Sequence, residues 1–262
     1  MKAVVIIYAA CLLLAPALLA AKSKSDGEVV ARIFDTKIYR KDIEPTEELR
    51  KRDEKLFPNQ KWEILVVQYR SENLSGRIWG PLRERFMKEK MIEVSNEDLE
   101  SFASAMMAKQ TDMKAATQKS IDQWEEELRE SGVSEEKKKT LQRNIQMMKE
   151  HLNISDEKQR AGFKSIAKSV VASWKINQAL YKQYGGTVIW QQAGIEPVEA
   201  VRRFLEERQR NGDFEIYDKT LKDKFWEYFA RKHPFEVPKE KVNFDKPWWL
   251  WTEDEAEKFN NR

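Results

Sequence analysis

Methionine is the residue type whose placement in this sequence points most clearly to chemistry. Seven of the methionines lie in the middle third of the chain: Met87, Met91, Met106, Met107, Met113, Met147 and Met148. Flexible thioether side chains suit surfaces that bind varied apolar partners, although methionine on a helix also fills ordinary cores. We take Met87, Met91, Met106 and Met107 as candidate peptide-binding residues. Since Met87 and Met91 are one helical turn apart, a methionine-only copper site is an alternative.

A second candidate binding element is the tryptophan cluster near the C-terminus. Trp248, Trp249 and Trp251 follow Lys246-Pro247. Three large indoles so close together exceed the apolar surface that a soluble monomer normally exposes, so they need cover. Two interpretations follow. The indoles pack on the body of the protein, or they bind a partner or a membrane interface.

Residues suited to catalysis are few. The two histidines, His151 and His233, each lie beside a predicted helix end, where a cation complements the helix dipole. Acidic pairs such as Glu135-Glu136 lie in charged helical runs; an acid pair hidden in an apolar cleft, as in glycosidases, is the alternative. The single cysteine, Cys11, lies within the apolar N-terminal run. The sequence therefore predicts neither a catalytic motif nor a cofactor or metal.

The N-terminus predicts export. Lys2 is followed by apolar residues from position 3 to 21 and then by polar residues, which is typical of a signal peptide cleaved near Ala20 or Ala21. The alternative is a signal anchor, because the run is almost long enough to span a bilayer. We expect residues 1–21 to be removed and the mature protein to be periplasmic or secreted, without stable membrane insertion.

The composition predicts a mainly helical fold. The 262 residues include 9 Gly and 8 Pro, too few for an all-β protein with frequent turns. With 47 basic and 44 acidic residues spread along the chain, there is no broad basic field to bind nucleic acid. Two β-prone runs, 29–34 and 37–39, flank Asp35-Thr36 and predict a small hairpin with its turn at that pair.

Helical spacing dominates the rest of the chain. The predicted helices cover 46–57, a stripe through Leu74, Ile78, Leu82 and Phe86, then 96–130, 134–151, 155–184, 197–211 and 218–232. Met106 and Met113 belong to the expected inward side of the third of these. We expect a helical, bundle-like domain over residues 22–235, with the hairpin of 96–151 inserted in it, and a tryptophan-rich tail at 236–262.

Two stretches carry a family resemblance: Glu28 to Ile43 (EVVARIFDTKIYRKDI) and Met91 to Leu99 (MIEVSNEDL). They resemble the N-terminal domain of SurA-like periplasmic chaperones and peptidyl-prolyl isomerases, over about residues 28–110. The family's usual Asn-Gly hairpin turn is replaced here, and no parvulin-type isomerase module is found. The resemblance implies the client-holding part of such a chaperone, in which a C-terminal helix returns to the N-terminal domain; residues 218–232 fit that role.

These observations lead to two hypotheses. The first is an exported, non-catalytic chaperone-like protein that holds unfolded or partly folded envelope proteins. The alternative is a structural or adaptor protein of the envelope that binds one folded partner. Binding of many unrelated unfolded peptides would favour the first hypothesis.

Overall fold

A computed structural model describes residues 27–57, 59–130, 132–191, 194–252 and 254–256. The predicted signal peptide lies outside the described residues. The mainly helical fold and the small N-terminal antiparallel sheet are confirmed. The helices are α1 (Glu47–Leu56), α2 (Trp62–Glu89), α3 (Asn96–Arg129), α4 (Glu135–Leu152), α5 (Asp156–Tyr184), α6 (Val198–Arg210) and α7 (Lys219–Ala230). The strands are β1 (Val29–Ile33), β2 (Thr36–Tyr39), β3 (Ile189–Gln191), β4 (Gly194–Glu196) and β5 (Phe214–Ile216).

Local capping explains where several helices begin. The hydroxyl of Ser95 accepts from the N–H of Asp98, and the Asp98 carboxylate accepts from the N–H of Ser95, so a capping box begins α3. Ser134 caps α4 and Asp218 caps α7 through their side-chain oxygens. α2 continues through Pro81, and Gly76 and Gly80 also lie inside it.

The N-terminal hairpin differs from the prediction in its turn. Ile33 pairs with Thr36, so the connecting residues are Phe34 and Asp35 and the predicted Asp35-Thr36 turn was one residue too late. Phe34 has a left-handed backbone, with φ of 49°. The guanidinium of Arg85 lies 4.4 Å from its ring centroid, and the N–H of Phe34 donates to the carbonyl of Asp213. Tertiary contacts therefore hold a bulky residue in a conformation that a local turn rule disfavours.

The chain divides into two compact units. Unit 1 contains the described residues up to Lys88 together with Leu180–Val242, and unit 2 contains Glu89–Ala179 together with the described residues from Asn243 onward. This division differs from the expected single body at 22–235 with an inserted hairpin and a separate tail. The reason is that the tryptophans of the tail pack on α3 and α5, which makes the end of the chain part of unit 2.

Unit 1 is built on a three-stranded antiparallel sheet in the order β2-β1-β5. β5 pairs with β1, and the N–H of Tyr217 donates to the carbonyl of Val30. The side chain of Arg40 pairs with both Glu28 and Asp218. The C-terminal segment thus returns to the N-terminal hairpin, and β3 and β4 form a second, two-stranded sheet in the same unit.

The core of unit 1 joins α2 and α6. Leu74, Ile78, Leu82 and Phe86 form the predicted stripe and are all buried. Phe204 of α6 is 5.1 Å from Phe86 and 5.8 Å from Trp79, centroid to centroid, with the rings edge to face.

Unit 2 contains the predicted α3–α4 hairpin and the part of α5 up to Ala179. Phe102, Ala103 and Ile121 of α3 are buried, as are Leu141 and Ile145 of α4. Met113 was expected on the inward side of α3 but is 45% exposed. The apolar stripe of α3, which is 34 residues long, is interrupted by polar turns. The buried residues Phe102, Ala103 and Ile121 lie on either side of Met113, and the turn that carries Met113 stays exposed.

Candidate functional site

The tryptophans of the tail are covered by the protein's own helices. Trp249 is 3% exposed and lies between Phe102 of α3, at 5.3 Å, and Trp174 of α5, at 6.0 Å. Trp251 is 7% exposed, and its indole N–H donates to the carbonyl of Lys246. Of the two interpretations of the cluster, the structure therefore has the indoles packed on the protein.

Trp248 lies at the edge of the groove between α3 and α5 that holds Trp249. It is half-buried, 6.4 Å from Phe102 and 5.7 Å from Trp249, centroid to centroid. The amine of Lys109 lies 5.9 Å from its ring and donates to its carbonyl at 3.4 Å. Burial lowers the pKa of the Lys109 amine below its ordinary value. We call this site, formed by Phe102, Lys109 and Trp174, the tryptophan groove.

The four candidate methionines lie in different surroundings. Met87 is half-buried on α2 and belongs to unit 1, whereas the other three belong to unit 2. Met106 and Met107 are half-buried on α3. Met91 is 85% exposed and has a left-handed backbone with φ of 51°. Met91 is thus the candidate methionine that is most open to a partner.

A surface that the sequence analysis missed lies where α1 meets α2 in unit 1. Leu56 is 60% exposed, Phe57 47% and Ile64 69%. Trp62, Leu65, Val66 and Val67, in the first two turns of α2, are half-buried. We call these seven residues the apolar corner.

Beside the apolar corner runs an open cleft of about 520 Å³. Trp62, Val66 and Val67 contribute its apolar lining, while the charged pair Glu44 and Arg70, joined at 2.8 Å, lies at its edge. The guanidinium of Arg50 is 5.7 Å from the centroid of Trp62. The cleft therefore offers an apolar strip with charged groups of both signs around it.

A buried carboxylate fastens α1 to α2 next to this surface. Asp53 is 1% exposed and accepts a hydrogen bond from the hydroxyl of Tyr69 and another from Arg52 at 2.9 Å. The Tyr69 hydroxyl, followed by Arg52, holds the pKa of Asp53 below its ordinary value in spite of burial. The corner is therefore built on two helices that are tied together by a polar contact.

A signal for the apolar corner was present in the sequence. Ile64, Leu65, Val66 and Val67 are consecutive, and four consecutive apolar residues cannot share one face of a helix. At least part of such a run has to face water or a partner. The predicted apolar stripe began only at Leu74, so the prediction did not include these four residues.

A second, partly buried polar cluster of unit 1 involves Glu196. The hydroxyl of Tyr228 donates to its carboxylate at 2.7 Å, and the amide of Gln191 donates to it at 3.3 Å. His233, 8% exposed, donates from Nε2 to the carbonyl of Tyr228 at 2.9 Å. Burial raises the pKa of Glu196 and also that of Tyr228. The cluster ties β3 and β4 to α7 and its following loop.

Among the described residues, no group of three or more His, Cys, Asp or Glu side chains is placed to hold a metal ion. None of the helices described is both long and apolar enough to cross a membrane.

Comparison with known proteins gives no match for this chain among family models, curated proteins or solved structures.

Proposed function

We propose that this protein is an exported, non-catalytic holding chaperone that binds apolar segments of unfolded or partly folded envelope proteins. The observation that carries the proposal is the apolar corner, where Leu56, Phe57 and Ile64 are each about half exposed or more. An exposed cluster of large apolar side chains marks a surface that binds another molecule.

The physical basis is reversible burial of apolar surface. Burial of apolar area contributes about 25 cal/mol per Å². Association costs at least about 4 kcal/mol in lost translational and rotational freedom. A few half-exposed side chains therefore give weak binding and fast release, which suits a protein that must hand its clients on. The open cleft at Trp62 and the exposed Met91 add surfaces that adapt to different side chains.

The sequence supports the same proposal from a different direction. Residues 28–43 and 91–99 resemble a SurA-like chaperone domain, and the apolar N-terminal run is typical of exported proteins. In that family a C-terminal helix returns to the N-terminal domain, and here Asp218 pairs with Arg40 beside the hairpin.

The test is suppression of aggregation by the mature protein. A chemically unfolded test protein is diluted into buffer with increasing amounts of the wild type or of the double variant Leu56→Ser, Ile64→Ser. Both substitutions lie on exposed positions, so we expect the variant to stay folded. We expect the wild type to slow light scattering and the variant to need several-fold more protein for the same effect.

The control removes two exposed aromatic side chains elsewhere in unit 1. Tyr217 is 49% exposed and Phe235 46%, so Tyr217→Ser, Phe235→Ser deletes large exposed side chains outside the apolar corner. The control variant is expected to act like the wild type. If the wild type does not slow aggregation at several-fold molar excess, the proposed function is wrong.

A further inference from the structure

The tail of this protein is held in unit 2 by aromatic packing more than by polar bonds. Trp249 enters between Phe102 and Trp174, and its contacts with both rings are edge to face, at 80° and 71°. Phe244 adds a ring contact with Trp174 at 5.3 Å. Contacts of this kind are favourable for any segment that brings an aromatic ring to the same place.

The polar bonds of the tail are largely internal. The amine of Lys246 pairs with Glu255 at 2.6 Å, and the same carboxylate accepts from the N–H of Thr252 at 2.8 Å. The indole of Trp251 donates to the carbonyl of Lys246 at 2.8 Å. The tail therefore keeps these bonds when it leaves the groove as a unit.

Main-chain carbonyls of the tail accept hydrogen bonds from side chains of the helices. The amide of Gln178 donates to the carbonyl of Phe244 at 2.7 Å, and Lys109 donates to that of Trp248 at the long distance of 3.4 Å. Both acceptors are main-chain carbonyls, which every peptide offers. These two hydrogen bonds could therefore form equally well with the main chain of another bound peptide.

The docked tail also has an unsatisfied polar group. The indole N–H of Trp249 is buried, and within the described residues no acceptor lies in hydrogen-bonding distance. A buried donor without a partner loses its hydration with no compensation. The groove therefore does not satisfy every polar group of the bound tail.

The walls of the groove are fastened to each other independently of the tail. Lys175 of α5 pairs with Asp98 at 2.5 Å and donates to the carbonyl of Glu93 at 2.9 Å. Arg160 and Lys164 of α5 both pair with Glu100 of α3, at 2.7 Å and 2.5 Å. These contacts join α3 and its preceding loop to α5 without any residue of the tail.

We propose that the tryptophan groove is a peptide-binding site for tryptophan-bearing segments, and that the chain's own tail is its built-in, displaceable occupant. A tethered occupant acts at a high effective concentration, so it excludes weak ligands and yields only to segments that bring comparable aromatic surface. The proposal goes beyond the holding function, and the binding experiments below do not depend on it.

The first test uses the full-length mature protein and hydrogen exchange. The probe is a synthetic peptide with the sequence of residues 246–256. We expect the tail amides to exchange at least tenfold faster than the amides of α3 and α5 that line the groove. Excess peptide should accelerate exchange of the protein's own tail, while a peptide with Trp249→Ala should leave it unchanged. Tail amides that exchange at the rate of the helices and ignore the peptide would overturn the proposal.

The second test compares binding of the labelled peptide to the full-length protein and to a chain that ends after Asp245. The truncated chain keeps Phe244 on Trp174 and should bind at least tenfold more tightly. Circular dichroism checks that it keeps its helices. A truncated chain with native helicity that does not bind would refute the site; if truncation unfolds it, the exchange experiment decides. Peptide binding without suppression of aggregation would contradict the holding function and leave this site intact.

Discussion

A single half-buried carboxyl group, that of Glu196, connects three elements of unit 1. Glu196 of β4 accepts from Gln191 of β3 and from Tyr228 of α7. Burial raises the pKa of Glu196 above its ordinary value of 4.5, although the hydrogen bonds from Tyr228 and Gln191 and the charges of His233 and Arg231 act in the opposite direction. The folded state therefore holds this proton more tightly than the unfolded state.

This linkage predicts a pH dependence of stability. The contribution of Glu196 is fully present below its unfolded pKa and is lost as the pH rises through its folded pKa. Glu196→Gln keeps the size of the side chain and an acceptor for the Tyr228 hydroxyl, but it does not titrate. We expect the melting temperature of the wild type to fall relative to that of Glu196→Gln as the pH rises from the ordinary pKa of 4.5 through the raised pKa of the folded state.

The control is Glu215→Gln, at an exposed position of β5. Its melting curve should follow the wild type throughout the pH range. Parallel curves for the wild type and Glu196→Gln would show that the buried carboxyl is not the titrating group.

At the scale of single residues, the sequence showed which side chains need to be covered but not which neighbours cover them. The tryptophans of the tail were correctly expected to need cover, because their area alone requires it. Glu196 could not be found, since its burial depends on a helix that packs on β3 and β4 from more than 20 residues away in the chain. Met113 was misplaced because helical periodicity does not reveal which turns lack a neighbour.

Among the elements, α7 depends on one residue for its start and for its link to the hairpin. Asp218 accepts from the N–H of Leu221 at 2.9 Å and pairs with Arg40. Burial by itself would raise the pKa of Asp218, but the Leu221 N–H and the Arg40 guanidinium outweigh it and lower the pKa. The stabilisation is present at neutral pH and is lost as the pH falls through the folded pKa.

Replacement of the cap should reveal this dependence. Asp218→Ala removes both interactions, and we expect it to lower the free energy of unfolding by about 1–2 kcal/mol at neutral pH. Asp218→Asn keeps a good cap and should lose less. Urea denaturation measures both, with Asp223→Ala as control, because the Asp223–Lys219 pair is exposed and contributes less than about 1 kcal/mol. An Asp218→Ala protein as stable as the control would contradict the proposed role of the cap.

The helices were predictable from local signals, and the short strands were not. Ser95, Ser134 and Asp218 mark helix starts by side-chain chemistry that acts within four residues. β5 has three residues and gains its partner, β1, from the other end of the chain. The hairpin was recognised, yet its turn was misplaced, because contacts with Arg85 and Asp213 hold Phe34 in the left-handed region.

On the scale of the whole molecule, the two units differ in where they place their large apolar side chains. Unit 1 exposes the apolar corner, and unit 2 contains the tryptophan groove with the tail seated in it. The sequence resemblance covers only about residues 28–110, which include the corner but not the tail. Fold class could be predicted from composition and periodicity, but a function has to be argued from such sites.

The last prediction concerns catalysis by the whole mature protein. The sequence resembles a chaperone family that often carries a parvulin-type isomerase module, whose strand and glycine-rich signatures are missing here. In the described part of the chain, the strands form one sheet of three and one of two, and the long stretches between them are helical. We therefore expect no prolyl isomerase activity.

In a protease-coupled assay, a proline-containing peptide should isomerise at its uncatalysed rate, over tens to hundreds of seconds at about 25 °C, at every protein concentration. A known prolyl isomerase in the same assay provides the positive control. Acceleration that rises in proportion to protein concentration would show that the helical chain contains a catalytic site and would overturn its description as a purely holding chaperone.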